Sequence, residues 1–232
     1  MEFSDWEKYY EQILLDFGFE REKDEEAAAV LDEVSTGRNL ASVEELKEHL
    51  AGKIVHVFGD GPSLPKTVAD KDFDGTLIAA DGATSSLMAK GIVPHIIMTD
   101  LDGRVEDQIA ANEKGSLVII LAHGDNIPAL KEWVPKFPGK IIATAQSGPR
   151  KHLLNFGGFT DGDRAVFMAD HFGAKRIILV GFDFGSDRGW ASQEEYEDEV
   201  DPGDHNKVKM RKLTWANVLI AMLDNPGIQF YR

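Results

Sequence analysis

Across 232 residues there is no cysteine, which excludes disulfides, thiolate catalysis and cysteine-ligated zinc and fits a cytoplasmic enzyme. No apolar run approaches the roughly 18 residues needed to span a membrane, and the acidic N-terminus does not read as a signal peptide. Positive charge is scarce: 25 Lys and Arg stand against 40 Asp and Glu, a net charge of -15. That balance argues against general binding to nucleic acid or to anionic membranes. A phosphorylated substrate would need local basic groups, helix N-termini or metal ions to overcome the overall field. The chain also lacks HExxH, Cys/His zinc spacing, a GxSxG elbow, a Walker A loop, GxGxxG and any internal repeat.

What is present suits one large α/β domain with a small N-terminal addition. Over residues 4–34, Trp6, Tyr9, Tyr10, Ile13, Leu14 and Phe17 recur at helical spacing, with a break expected at Gly18 and a helical pattern resuming over 24–34. We read this segment as a helical cap on the main domain or on a second subunit rather than as a ligand site. Ser42-x-x-Glu45 is a capping-box pattern that opens a short helix over 42–50. Residues 1–52 thus form an N-terminal helical segment, and 53–232 an α/β catalytic domain. Within the latter, strands are expected at 54–58, 76–80, 95–99, 117–121, 140–144 and 176–180. Helices are expected at 84–90, 104–114, 127–134, 162–173 and 206–223, an edge strand at 228–231, and an acidic surface loop at 193–204. This alternation predicts a mostly parallel sheet with helices on both faces.

Ligands of such sheets bind at the C-terminal ends of the strands, so the loops after the strands carry the argument. After the third strand comes Thr99-Asp100-Leu101-Asp102-Gly103. Alternation along an extended chain would put Asp100 and Asp102 on one side, where a divalent cation would offset their repulsion. The competing reading is one helix-capping Asp and one solvated. Gly59-Asp60-Gly61-Pro62-Ser63-Leu64 follows the first strand and reads either as a phosphate cradle with free N–H groups or as a tight turn. Asp81-Gly82 follows the second strand, with Asp81 either on a ligand hydroxyl or base or an N-cap. His123, Gly124 and Asp125 follow the fourth, with His123 either a ligand contact or a structural histidine. Thr144, Gln146 and Ser147 follow the fifth. Residues 157–164, GGFTDGDR, open a helix with Thr160, Asp161, Asp163 and Arg164, and Gly181-Phe182-Asp183 follows the sixth strand. A sheet edge this rich in carboxylates calls for Mg²⁺-like ions and phosphate oxygens. Lys207, Lys209, Arg211 and Lys212 read either as phosphate-binding cations or as a solvated helix face.

The motifs GDGPSL, DGA, TDLDG, AHGDN, TxQ, GFTDGDRA and LVGFDFG, in that order over residues 53–185, resemble the archaeal 6-hydroxymethyl-7,8-dihydropterin diphosphokinases. That family is similar in architecture to thiamine diphosphokinases, so the resemblance implies a Rossmann-like, thiamine-diphosphokinase-like catalytic domain. Against the thiamine enzymes' GDxDS and DxTDxxKA, Thr99 stands in place of Gly, Gly103 in place of Ser and Arg164 in place of Lys. These departures suit a pterin acceptor. The resemblance implies Mg²⁺-dependent diphosphoryl transfer from ATP to a reduced hydroxymethylpterin, releasing AMP, in tetrahydromethanopterin or folate-type pterin synthesis. Asp100 and Asp102, with Asp125 or Asp161, would hold Mg²⁺, while Asp161 or Asp163 would orient or deprotonate the acceptor. Gly59, Gly61, Pro62, Ser63, Asp81, Gly82, His123, Gln146 and Thr160 would contact the nucleotide, with Arg164 and Lys212 as cations. Phe182, Phe184 and Trp190 are candidates for stacking on a pterin, and a homodimer through the N-terminal helix is a further expectation. Two alternatives stand: a nucleotide-sugar transferase resembling motility-accessory glycosyltransferases, which share GxGPSL and DGA, and a nucleotide-binding module without turnover.

Overall fold

The computed structural model describes residues 3–69, 72–148, 150, 152–184 and 202–231, with backbone alone for 202–206. Among the described residues eight strands form one sheet, every strand-to-strand pairing parallel: β1 (Ile54–Phe58), β2 (Thr76–Ala80), β3 (Ile96–Thr99), β4 (Leu117–Ala122), β5 (Ile141–Ala145), β6 (Leu153–Leu154), β7 (Arg176–Val180) and β8 (Ile228–Phe230). Their spatial order is β6-β5-β4-β3-β2-β1-β7-β8. The chain steps outward from β1 to β6, then returns to the other side of β1. The switch point therefore lies between β1 and β7, where such sheets open a ligand crevice.

The strands are almost continuously apolar because both faces of the sheet are covered. Val55, Val57, Ile78, Met98, Ile119 and Leu179 pack on one face with Leu46 and Leu50 of α3 (Val43–Leu50) and with α8 (Asp161–His171). On the other face, Ile97, Val118, Ile120 and Ala143 pack with Ala27, Ala28 and Leu31 of α2 (Arg21–Ser35) and with α7 (Ile127–Trp133). Phe58, Leu77 and Val180 continue that face toward α4 (Leu64–Ala69) and α5 (Ala83–Met88). Among the described residues the remaining α-helices are α1 (Phe3–Phe17), α6 (Val105–Glu113) and α9 (Pro202–Met222).

The N-terminal helices break at Gly18, whose φ of +70° is the left-handed conformation that ends α1. Trp6, Tyr10 and Ile13 of α1 pack with Phe159, Phe167 and Leu219, so the aromatic stripe is core. The expected capping box is present: Glu45 N–H donates to Ser42 Oγ (3.1 Å) and Ser42 N–H to Glu45 Oε2 (3.0 Å). Residues 39 and 41 also pair with Ile141, which joins the N-terminal segment to the sheet itself.

Three elements depart from the sequence reading. The short α4 and the two-residue β6 were not expected, because each has too few residues to show a period. Helix α9 begins at Pro202, so 202–204, expected in the acidic loop, are helical; Pro at a helix's first position is compatible with this start. The rest of that loop, and Trp190, lie outside the described residues. Among the described residues no helix is long and apolar enough to cross a membrane.

Candidate active site

At the C-terminal edge of the sheet lies a cleft of about 660 Å³. Gly59 and Gly61 from after β1, Asp81 and Gly82 from after β2, and Asp100 and Asp102 from after β3 line it. So do His123 and Asp125 from after β4, Gln146 from after β5, Thr160 and Asp161 at the start of α8, and Lys212 of α9. Pro62, Ser63, Asp163 and Arg164 are not among its lining residues.

The centre of the cleft is carboxylate. One oxygen each of Asp81, Asp100 and Asp161 lie within 4.8 Å of one another, close enough to share a cation. Each carboxylate is fixed separately. Asp81, at φ +38°, accepts from Thr99 Oγ1 (2.7 Å) and Gln108 Nε2 (2.8 Å) through one oxygen. A Cβ at position 103 would collide with its other oxygen, so the glycine of TDLDG makes room for Asp81. Asp100 meets His123 Nε2 at 3.2 Å, and its backbone carbonyl accepts from Asn126 Nδ2 at 2.8 Å. Asp161 keeps one buried oxygen, Oδ1, with no hydrogen bond, a need that a bound ion would satisfy.

Asp100 and Asp102 are not placed by strand alternation. β3 ends at Thr99, and Leu101 takes a left-handed φ of +69°, turning the chain sharply between the two carboxylates. Leu101 N–H donates back to Thr99 Oγ1 (2.9 Å), and the Leu101 side chain is buried, which holds a β-region residue type in a costly conformation. Asp102 consequently stands outside the group of three, with its carboxyl against those of Asp100 and Asp81.

The charges respond to this crowding. Burial and then the neighbouring Asp100 push Asp81 up. The charge of Asp100, followed by burial, lifts Asp102 well above the ordinary carboxylate range, and burial followed by Asp100 does the same for Asp161. Burial would raise Asp100 as well, but its contact with His123, the hydrogen bond first, outweighs it and holds the group down at about 2. Four carboxylates, one firmly ionised and three resisting ionisation, form a site that a cation would relax.

Other sequence candidates are placed differently. Gly59 N–H donates to the Val180 carbonyl (2.8 Å) and Gly61 N–H to the Gly181 carbonyl (3.0 Å), while Ser63 N–H (2.7 Å) and Oγ (2.8 Å) both donate to Asp183. The free N–H groups expected of this loop are therefore engaged: it continues the β1–β7 ladder and is tied off by Asp183. Its glycines serve closeness, since a Cβ at Gly61 would strike the Gly181 carbonyl and Asp183. Asp163 is fully buried and accepts from Phe159 N–H (2.6 Å), Thr160 N–H (2.7 Å) and Thr160 Oγ1 (2.5 Å), so it caps α8 rather than facing a substrate. Arg164 is buried beneath the cleft, donates to the Gly158 carbonyl (3.2 Å), and places its charge near Asp161 and Asp163; burial lowers it to about 10. Asp125 is exposed and stands outside the group of three.

The cleft also has a wall that the sequence reading did not assign to it: Gly18, Phe19, Glu20, Lys23 and Asp24, from the α1–α2 junction. A signal was available for Asp24. It shares a helical stripe with Ala27, Ala28 and Leu31, so a carboxylate falls on the buried face of α2.

The family profile described as "6-hydroxymethylpterin diphosphokinase MptE-like" matches residues 29–189. Three curated relatives bear the name 6-hydroxymethyl-7,8-dihydropterin pyrophosphokinase. That of Methanothermobacter thermautotrophicus is 44% identical over 98% of this chain and 97% of its own, and that of Pyrococcus furiosus 42% over 98% and 96%. The Methanocaldococcus jannaschii protein is 38% identical over 100% of both chains. Among solved structures, the MAf glycosyltransferase from Magnetospirillum magneticum AMB-1 superposes with a TM-score of 0.46 and 18% identity over 86% of this chain. The chain spans about a third, 35%, of that protein's length.

Proposed function

The chain belongs to the MptE-like 6-hydroxymethylpterin diphosphokinases, a family of diphosphotransferases, and from that premise we propose that it moves a diphosphoryl group from ATP to the hydroxymethyl oxygen of a reduced 6-hydroxymethylpterin, releasing AMP. The observation that carries this reading is the meeting of Asp81, Asp100 and Asp161, from three separate elements, in one cleft at the sheet's ligand edge. The donor set, all carboxylate oxygens with Asp161 Oδ1 unpaired, fits Mg²⁺. When bound there, the ion would supply positive charge to the phosphate oxygens of ATP.

The chain's own residues do the rest. His123 holds Asp100 ionised and aimed into the cleft, while Thr99 and Gln108 hold Asp81. The first turn of α8, with Thr160, Asp161 and Gly162 on the cleft, presents backbone N–H groups and the positive end of the helix to phosphate oxygens. Lys212 brings a mobile cation from α9. Asp102, the carboxylate left outside the triad, would take the proton of the hydroxymethyl group as its oxygen bonds to the β-phosphorus and the bond to AMP breaks. Its raised proton affinity suits that role. The reaction would serve tetrahydromethanopterin or folate-type pterin synthesis.

The test is turnover of ATP, Mg²⁺ and reduced hydroxymethylpterin, with nucleotide products separated by chromatography. AMP and the pterin diphosphate are expected, and ADP as the product, or activity indifferent to metal, would refute the reading. Asp100→Asn and Asp81→Asn should each lower turnover by at least ~10²-fold, the scale on which transition-state charge stabilisation is lost.

A further inference from the structure

Helix α2 sets Lys23 and one buried carboxylate, Asp24, on the wall of the cleft. Asp24 is 6% exposed and lies in the first turn of α2, where an acidic side chain usually faces solvent or caps its own helix. Here it does neither. Its Oδ2 accepts from Tyr10 Oη of α1 (2.7 Å), and its Oδ1 accepts from the Gly124 N–H of the loop after β4 (2.7 Å). Burial, then the bond to Asp24, pushes the Tyr10 phenol upward, so Tyr10 remains a donor. Gly124 is pressed against α2: a Cβ there would stand 2.7 Å from Lys23 Cβ.

That loop is what carries His123 to Asp100. Asn126 clamps it at both ends, accepting from His123 N–H (3.1 Å) and donating to the carbonyls of Asp100 (2.8 Å) and Leu121 (2.7 Å). Inside the turn, Asp125 N–H donates to His123 Nδ1 (3.4 Å). A ring whose Nδ1 accepts carries its proton on Nε2, and Nε2 is the atom 3.2 Å from Asp100 Oδ2. The backbone of 123–126 thus selects the tautomer, and Asp24 fixes the backbone at its one glycine.

We propose that Asp24 is a positioning residue: held by Tyr10, it locks Gly124 and thereby the Nε2–H tautomer of His123 that orients Asp100 toward the cleft centre. The N-terminal helices on this reading are part of the active site, and their docking sets the alignment of a carboxylate that Asp24 never touches. The kinetic part of the test rests on the diphosphoryl-transfer reading; the tautomer does not.

Two-bond ¹H–¹⁵N correlation spectra of the full-length protein without metal distinguish the imidazole tautomers directly. Wild type should show His123 as Nε2–H, and Asp24→Ala should show a mixture of tautomers in folded protein. Asp24→Asn keeps an oxygen for Gly124 N–H and an amide for Tyr10 Oη, so it should retain the wild-type pattern, and Tyr10→Phe, a milder perturbation should Asp24→Ala not fold, should give a partial mixture. In turnover, Asp24→Ala should lower kcat about tenfold or more with the pterin KM within about threefold, and Asp24→Asn should restore most of kcat, as a loss of alignment in the transition state requires. An unchanged His123 tautomer in Asp24→Ala, or in Tyr10→Phe where the former does not fold, would overturn the proposal, as would an Asp24→Asn defect equal to that of Asp24→Ala. Absence of diphosphoryl transfer in wild type would instead strike the functional reading and leave the spectroscopic test standing.

Discussion

Replacing Thr99 by Val tests whether the left-handed turn in TDLDG is built around one hydroxyl. The substitution is close to isosteric at a position with no exposure, so it leaves little cavity. It removes two bonds: Thr99 Oγ1 to Asp81 Oδ1 (2.7 Å) and Leu101 N–H to Thr99 Oγ1 (2.9 Å). The second leaves a buried N–H without an acceptor, at a cost of about 1–3 kcal/mol, in a residue already held at φ +69°. The first weakens a bond to a charged acceptor, but Gln108 Nε2 still donates to the same oxygen at 2.8 Å, so only part of the usual ~1.5–3 kcal/mol is lost. Together the variant should be about 3 kcal/mol less stable, and Thr99→Ser, which keeps the hydroxyl, less than half as much affected. Urea unfolding of the metal-free protein measures this, and the corresponding fall in melting temperature is roughly 6–12 °C. A Thr99→Val protein within about 0.5 kcal/mol of wild type would show that Leu101 holds its conformation by packing alone, and the account of the turn would be wrong.

Gly103→Ala should cost stability only through its clash with Asp81, since the φ of Gly103 is not in the left-handed region, and weaken Mg²⁺ binding about tenfold or more by pushing a methyl into the Asp81 carboxylate; calorimetric titration of the folded variant with the metal alone measures it. The pH dependence has a defined sign. Asp81, Asp102 and Asp161 hold their protons more tightly folded than unfolded, so the stability they contribute is complete below about pH 4 and is lost as pH rises through their higher folded values. Mg²⁺ must displace those protons, so the rise in melting temperature that it gives should grow with pH over the same range, and a rise independent of pH would refute the assignment.

The fold was legible because its signals are local and repeated. β4, Leu-Val-Ile-Ile-Leu-Ala, is apolar at every position, as a strand covered on both faces must be, and its neighbours differ from the expected bounds by one residue. Gly18 and the Ser42–Glu45 box mark their helix ends by chemistry that acts within four residues. β6 and α4 were hidden because two to six residues carry no period, and they are held by what lies beside them.

The site was legible to a different depth. That strand-end loops would gather carboxylates follows from chain order alone, and Asp100, Asp102 and Asp161 do share the cleft. What each one does there depends on distances that the sequence does not contain. Asp163 and Asp161 stand two residues apart in one motif, yet one turn of α8 sends the first into the core as a cap and leaves the second with an unpaired oxygen in the cleft. Asp100 and Asp102 are separated by one residue, and the positive φ of Leu101, a conformation its residue type disfavours, decides which of them offers an oxygen to the group shared with Asp81 and Asp161. In both pairs spacing identified the carboxylates, and a backbone feature with no local sequence mark divided their roles. The N-terminal wall adds the same lesson at longer range: Asp24 reads as an ordinary helix-start acid until Gly124, one hundred residues later, arrives to donate to it.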